Sequence, residues 1–152
     1  IVLEELEKEI KGHTREIMAE KQHNFSINCP NGIMLLGQRS ELYRALSNLV
    51  INAAKYKPES GMIELRAAID STGVKIEVED NGLGIGWHHI PRLTERFYRV
   101  DPSRSAESGG TGLGLAIVKH ILARHDSELE VKSTPRKGSV FGCHIPRERV
   151  LD

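Results

Sequence analysis

Residues 39–56 read RSELYRALSNLVINAAKY. Leu42, Leu46, Leu49, Val50 and Ala53 recur at the spacing of one helix face, while Asn48, Asn52, Lys55 and Tyr56 share the flank beside it. Ser40 stands as a candidate N-cap, and Pro58 ends the run. The pattern predicts a helix with an apolar floor and a polar roof. Asparagine is a poor helix former, and two of them a turn apart beside a core need partners if they are partly buried. Either this is a solvated face that happens to carry asparagines, or their carbonyls are neutral oxygen ligands of the kind Mg²⁺ accepts alongside water and phosphate.

Before this helix, residues 1 to about 22 place Leu3, Leu6, Ile10, Ile17 and Met18 at helical spacing among charges, which predicts one amphipathic helix interrupted at Gly12. Short strands over 25–28 and 33–36 flank the turn residues CPNG at 29–32. After it come strands over 62–69 and 74–79, joined through DSTG, the second running into Asp80-Asn81-Gly82. Residues 86 to about 111 show little pattern beyond a short helix near 90–97, and loops that long in a compact domain are usually functional or mobile. A helix over 112–125 follows, then strands over 128–133 and 139–145 around PRKG. The order α, ββ, α, ββ, α, ββ, with strands mostly joined as hairpins, predicts an antiparallel or mixed sheet covered by helices on one face.

Composition narrows the function. At 152 residues the chain fits one domain. Lys plus Arg and Asp plus Glu number 21 each, so no global field draws nucleic acid or an anionic membrane, and any anion site is local. Aromatic residues make up 5%, too few for a platform on which single-stranded nucleic acid stacks. Cys29 and Cys143 lack CxxC spacing, which disfavours zinc and fits buried or incidental thiols in a reducing compartment. Nothing approaches the ~18 apolar residues of a membrane span. A chain opening at Ile1 inside a helical pattern reads as a piece of something longer.

Half of the 14 glycines fall in DNGLGIG at 80–86 and GGTGLGL at 109–115. Each cluster sits at an element end, as an ordinary turn or as a place where a ligand approaches the backbone. Asp80 is either a turn former or a carboxylate acceptor for a purine amino group. GGTGLGL lacks the Lys-Ser or Lys-Thr of a P-loop and the preceding strand of a dinucleotide fingerprint. What remains is a glycine-rich entry to a helix whose free N–H groups and dipole attract phosphate.

Together these stretches resemble the catalytic ATP-binding domain of bacterial sensor histidine kinases, within the GHKL superfamily that also holds gyrase-type ATPases. NLVINAAKY at 48–56 is similar to the N box, DNGLGI at 80–85 to the first glycine box, ERFYRVD at 95–101 to the F box, and GGTGLGL to the second glycine box. They stand in family order over roughly residues 20–146, and HIPRLTERFYRVD with GLGLAIVKH is most similar to the phosphate-regulon branch. The resemblance implies a two-layer α/β sandwich, the Bergerat fold: a mixed sheet of about five strands backed by three helices, with a flexible ATP lid.

It also implies roles. Asn52 would coordinate Mg²⁺, with Asn48 and Lys55 at the phosphates or the metal's shell. Tyr56 would line the nucleoside side. Asp80 would accept from the adenine amino group on a wall shaped by Gly82, Gly84 and Ile85. Arg99, after Tyr98, would reach the γ-phosphate, and the amides of Gly112, Leu113, Gly114 and Leu115, next to Thr111, would cap the triphosphate. Ser139 takes the place of a hydroxyl residue near the adenine. Lys57 and Trp87-His88-His89 depart from the family pattern without touching a motif position.

In the hydrolase branch a glutamate one turn before the metal-binding asparagine activates water. Here Asn48 stands there, and an amide cannot accept that proton. Transfer to another nucleophile is the expectation, with Asn48, Lys55 and Arg99 as catalytic residues acting by positioning and charge neutralisation. The histidines here lack the setting of a phosphoacceptor, and His120 and His125 read as structural or surface residues. The resemblance therefore implies a division into residues 1–20, continuing from a dimerisation and phosphoacceptor hairpin, and 21–152, the catalytic domain. Implied partners are that histidine phosphotransfer domain of the same protein and a response regulator of phosphate-regulon type. The implied setting is the cytoplasmic side of a bacterial inner-membrane protein, held to the membrane by other segments.

Overall fold

The computed structural model describes residues 1–20, 22–55, 61–82, 114–135 and 137–151. The elements are α1 (Leu3–His13), α2 (Arg15–Glu20), β1 (Asn24–Asn28), β2 (Met34–Leu35), α3 (Arg39–Lys55), β3 (Met62–Asp70), β4 (Gly73–Asp80), α4 (Gly114–Arg124), β5 (Leu129–Thr134), β6 (Gly138–Pro146), a 3₁₀ turn (Arg147–Arg149) and β7 (Val150–Leu151). Five strands form one sheet in the order β1-β3-β4-β6-β5, and β2 pairs with β7 in a second, small one. Within the larger sheet β1 runs parallel to β3, and every other pairing is antiparallel. The mixed sheet and its helical cover agree with the sequence.

Strand alternation supplies the two faces. Ile63, Leu65 and Ala67 on β3, Val74, Ile76 and Val78 on β4, and Phe141, Cys143 and Ile145 on β6 are buried. They join Leu3, Leu6 and Ile10 of α1, Leu42, Leu46, Leu49 and Val50 of α3, and Val118, Ile121 and Leu122 of α4 in one core cluster. The other face is polar: Arg66 pairs with Glu64, Glu77 and Glu79 at 3.3, 3.3 and 3.0 Å. Such half-exposed pairs contribute little each, so burial of the helical face dominates. Packing crosses residue 20, because α1 belongs to the same core as the strands.

Three expectations change. The predicted helix over 1–22 is two helices. Gly12 remains helical, and the break falls at Thr14, whose hydroxyl donates to the Ile10 carbonyl at 2.8 Å and competes with the helix ladder. Ser40 is not the N-cap, since α3 already begins at Arg39 and the Gln38 carbonyl accepts from the Leu42 N–H at 2.9 Å. Nor do β1 and β2 form a hairpin. One side of the 33–35 segment is taken by residues 1–3, through Leu3 N–H to Ile33 O at 2.9 Å and Leu35 N–H to Ile1 O at 2.8 Å, and β7 takes the other. The crossover through α3 then delivers β3 parallel to β1.

Among the described residues one acidic side chain lies inside. Glu7 of α1 has no accessible surface, and neither carboxylate oxygen has a hydrogen-bond partner. Burial pushes its pKa from 4.5 to about 7; the nearby Cys29 thiol opposes this weakly while pointing to the Pro30 carbonyl at 3.5 Å. Burial and that carboxyl push the thiol up to about 12, and burial does the same to Cys143, so neither is a reactive thiolate. Among the described residues no helix is long and apolar enough to cross a membrane.

Candidate functional site

Strand register brings two of the predicted residues, Asp80 and Ser139, to one end of the sheet. Ile63, near the start of β3, stands opposite Asp80 at the end of β4, and Asp80 stands opposite Ser139 at the start of β6. The C-terminal end of α3 lies at this same end, because the Ala54 carbonyl and the Gly61 N–H, just before β3, both bond to the ring of His23. The N-terminus of α4 points the same way. Its C-terminal end is fixed at the start of α3 by Gln38 N–H to His125 at 3.1 Å and by Arg124 to Glu41 at 2.9 Å, and it lies along α3 from there. Gly114 thus faces the half of α3 that carries Asn48 and Asn52.

Each wall has a local cause. Asn48 and Asn52 are half-buried on the polar flank of α3, beside the fully covered Leu49 and Val50. Asp80 accepts from the Gly82 N–H at 2.9 Å, an Asx turn that directs the chain away from β4, and Gly82 is buried. Ser139 is buried, its hydroxyl 2.7 Å from that of Ser133. Gly114 is exposed and opens α4, where the first N–H groups lack intrahelical partners, and Leu115 behind it is partly buried. Lys55 is the last residue of α3. Tyr56, Gly84, Ile85, Tyr98, Arg99, Thr111, Gly112 and Leu113, with the expected lid and the short helix near 90–97, lie outside the described residues.

Two residues here were read from sequence only as turn formers. The Asn81 side chain accepts from the Met62 N–H at 2.9 Å, which ties the end of β4 to the start of β3. Gly138 has φ +133°, and a Cβ there would come within 2.1 Å of the Asp80 carbonyl. Only glycine lets β6 begin so close to Asp80. The DNG and PRKG strings were the available signals, but neither reveals its partner across the sheet.

Over residues 37–149 the sequence matches the family described as histidine kinase-, DNA gyrase B-, and HSP90-like ATPase. The chain belongs to this family. It is 45% identical over all 152 residues to the phosphate regulon sensor protein PhoR of Pseudomonas aeruginosa, covering 34% of that protein. To the PhoR of Haemophilus influenzae it is 44% identical over 136 residues, 90% of this chain and 32% of the relative. It spans about a third of the length of these curated relatives. Among solved structures, the nucleotide-free catalytic domain of histidine kinase ThkA superposes with a TM-score of 0.83 at 25% identity, over 97% of this chain and 93% of that one. The mycobacterial sensor histidine kinase MprB gives 0.79 at 25%, over 96% of both chains. The two-layer α/β sandwich is that of histidine kinase catalytic domains.

Proposed function

We propose that this chain is the catalytic ATP-binding domain of a two-component sensor histidine kinase. It binds ATP with Mg²⁺ and passes the γ-phosphoryl group to a histidine on a separate dimerisation domain of the same protein, for relay to a response regulator of phosphate-regulon type. The observation that carries this is the convergence, at one end of the sheet, of Asn48 and Asn52, Asp80, Ser139 and the start of α4.

The residues present fit Mg²⁺–ATP. Asn48 and Asn52 make no side-chain hydrogen bond to any described residue, so their amides are available to a ligand. Among the described residues no group of three or more His, Cys, Asp or Glu could hold a metal by itself. A Mg²⁺ ion held by Asn52 would take its other oxygens from phosphate and water, and it would neutralise charge on the transferring group. Asn48 supports that shell. As an amide it cannot deprotonate water, which favours transfer over hydrolysis. Asp80 accepts from the adenine amino group, and the α4 N-terminus faces the phosphates. Lys55 and Arg99 supply positive charge, and Tyr56, Gly84, Ile85, Tyr98, Thr111, Gly112 and Leu113 complete the pocket as the motifs imply.

In the whole protein, residues 1–20 continue from the dimerisation hairpin and 21–152 carry catalysis, on the cytoplasmic side of a bacterial inner membrane. The test mixes this chain with a separately produced acceptor hairpin, Mg²⁺ and γ-labelled ATP. Phosphohistidine on the hairpin, with near-background phosphate release by the chain alone, is the expected result. Binding of ATP with no transfer to the hairpin of the parent protein overturns the kinase assignment.

A further inference from the structure

α3 carries both asparagines, and each of its ends is held by the ring of a buried histidine. At the start, Gln38 donates its N–H to Nε2 of His125 at 3.1 Å, and Nδ1 of the same ring lies 2.8 Å from the Ile121 carbonyl. At the end, Nε2 of His23 lies 3.0 Å from the carbonyl of Ala54, and the Gly61 N–H reaches Nδ1 at 3.3 Å. A carbonyl only accepts and a backbone N–H only donates. The partners therefore fix both rings as neutral, in opposite tautomers: Nε2–H for His23 and Nδ1–H for His125.

Neither ring is free to slide, because each histidine is part of a Schellman turn, His23 as its last residue and His125 just before its left-handed one. At the end of α2, Gln22 has φ 56°, its N–H bonds to Ala19 O at 3.1 Å and the His23 N–H to Met18 O at 2.9 Å. At the end of α4, Asp126 has φ 58°, with Asp126 N–H to Ala123 O at 3.3 Å and Ser127 N–H to Leu122 O at 2.9 Å. Gly37 closes over the His125 ring, where a Cβ would stand 2.7 Å from Cδ2.

The His23 strut has the more direct bearing on the site. The last carbonyls of a helix have no partner within it, and Ala54 is fully buried, so His23 satisfies a group that water does not reach. Asn52 lies two residues before Ala54 and Lys55 one after. On the ring's other side, Gly61 precedes Met62, whose N–H bonds to Asn81, the residue after Asp80. A continuous line thus runs from the turn bearing Asn52, through Ala54, His23, Gly61, Met62 and Asn81, to Asp80.

We propose that His23 is a positioning residue for the nucleotide site. Its neutral ring sets the spacing between the phosphate side, on α3, and the adenine side, at the end of β4, while His125 fixes the far end of α3. The role rests on the assignment of this site to ATP. The test compares His23→Leu, which removes both bonds at similar volume, with His23→Gln, whose amide can donate to Ala54 again. Val74→Ala, a buried truncation at the opposite end of β4 from Asp80, controls for stability loss.

Thermal midpoints identify a temperature at which all variants are folded, and the affinity for a non-hydrolysable ATP analogue with Mg²⁺ is measured there. His23→Leu weakens binding roughly tenfold, His23→Gln recovers most of it, and Val74→Ala lowers the midpoint without changing affinity. Unchanged affinity in His23→Leu, or no recovery in His23→Gln, overturns the role. In nucleotide-free wild type, long-range ¹H–¹⁵N correlations give the ring tautomers directly. An Nδ1–H tautomer at His23 also overturns the role, even if both His23 variants fail to fold. Wild type that binds no adenine nucleotide refutes the ATP assignment itself, whereas normal wild-type binding with an unaffected variant refutes only the positioning.

Discussion

Replacing Glu7 by glutamine changes the pH dependence of folding in a calculable direction. The unfolded carboxyl titrates at 4.5 and the buried one at about 7, so between those values the folded chain holds a proton that the unfolded chain has released. A raised acid pKa contributes stability that is fully present below 4.5 and is lost as pH rises through 7. At about 1.4 kcal/mol per pH unit the interval is worth at most about 3.5 kcal/mol, and about 2 once the surrounding core relaxes around the ionised group. Glutamine keeps the shape and polarity but does not ionise. Urea denaturation of both proteins at half-unit steps from pH 5 to 8.5 isolates the term, because every other titrating group is common to the two. The variant should match wild type near pH 5 and exceed it by about 2 kcal/mol at pH 8.5. Parallel pH profiles, or a wild-type advantage that grows with pH, would show that Glu7 is paired or solvated in solution and refute the reasoning.

Other consequences can be measured alongside. Gly138→Ala combines a forbidden φ with a collision against the Asp80 carbonyl, so it should cost more than about 2 kcal/mol in denaturation and weaken nucleotide binding in whatever remains folded. Asn52→Ala should abolish Mg²⁺-dependent ATP affinity in isothermal titration while leaving the circular dichroism spectrum and thermal midpoint unchanged. Asn48→Glu supplies a carboxylate within one turn of Asn52 and should raise steady phosphate release by the isolated chain above its near-background level. An unchanged rate would remove the base-position argument.

Local periodicity made the central elements legible. The helix predicted over 39–56 is α3 at 39–55, and the strands predicted over 62–69 and 74–79 are β3 and β4 with ends moved by a residue. The same logic placed Asn48, Asn52 and Asp80, since a polar flank and a strand-end acid are visible within a few residues. Pairing between distant segments was not legible. β2 looked like a hairpin partner for β1, yet it pairs with β7, two residues at the far end of the sequence. The histidine struts were equally hidden, because Gln38 and His125 are 87 positions apart and His23 and Ala54 are 31 apart. Asn81 and Gly138 looked like turn residues because their second role depends on a neighbouring strand.

The small sheet of β2 and β7 gives the domain a handle at one pole. Val2 bridges Met34, and Met34 stands opposite Leu151, so both chain ends leave beside Gly73 and Pro146, where β4 starts and β6 stops. Asp80 and Ser139 lie at the other pole, about 25 Å away along the eight residues of β4. A neighbour joined at either end is therefore tethered a full strand length from Asp80 and Ser139. On the proposed assignment, an acceptor histidine tethered through this handle starts one full length of β4 away from the phosphate it takes.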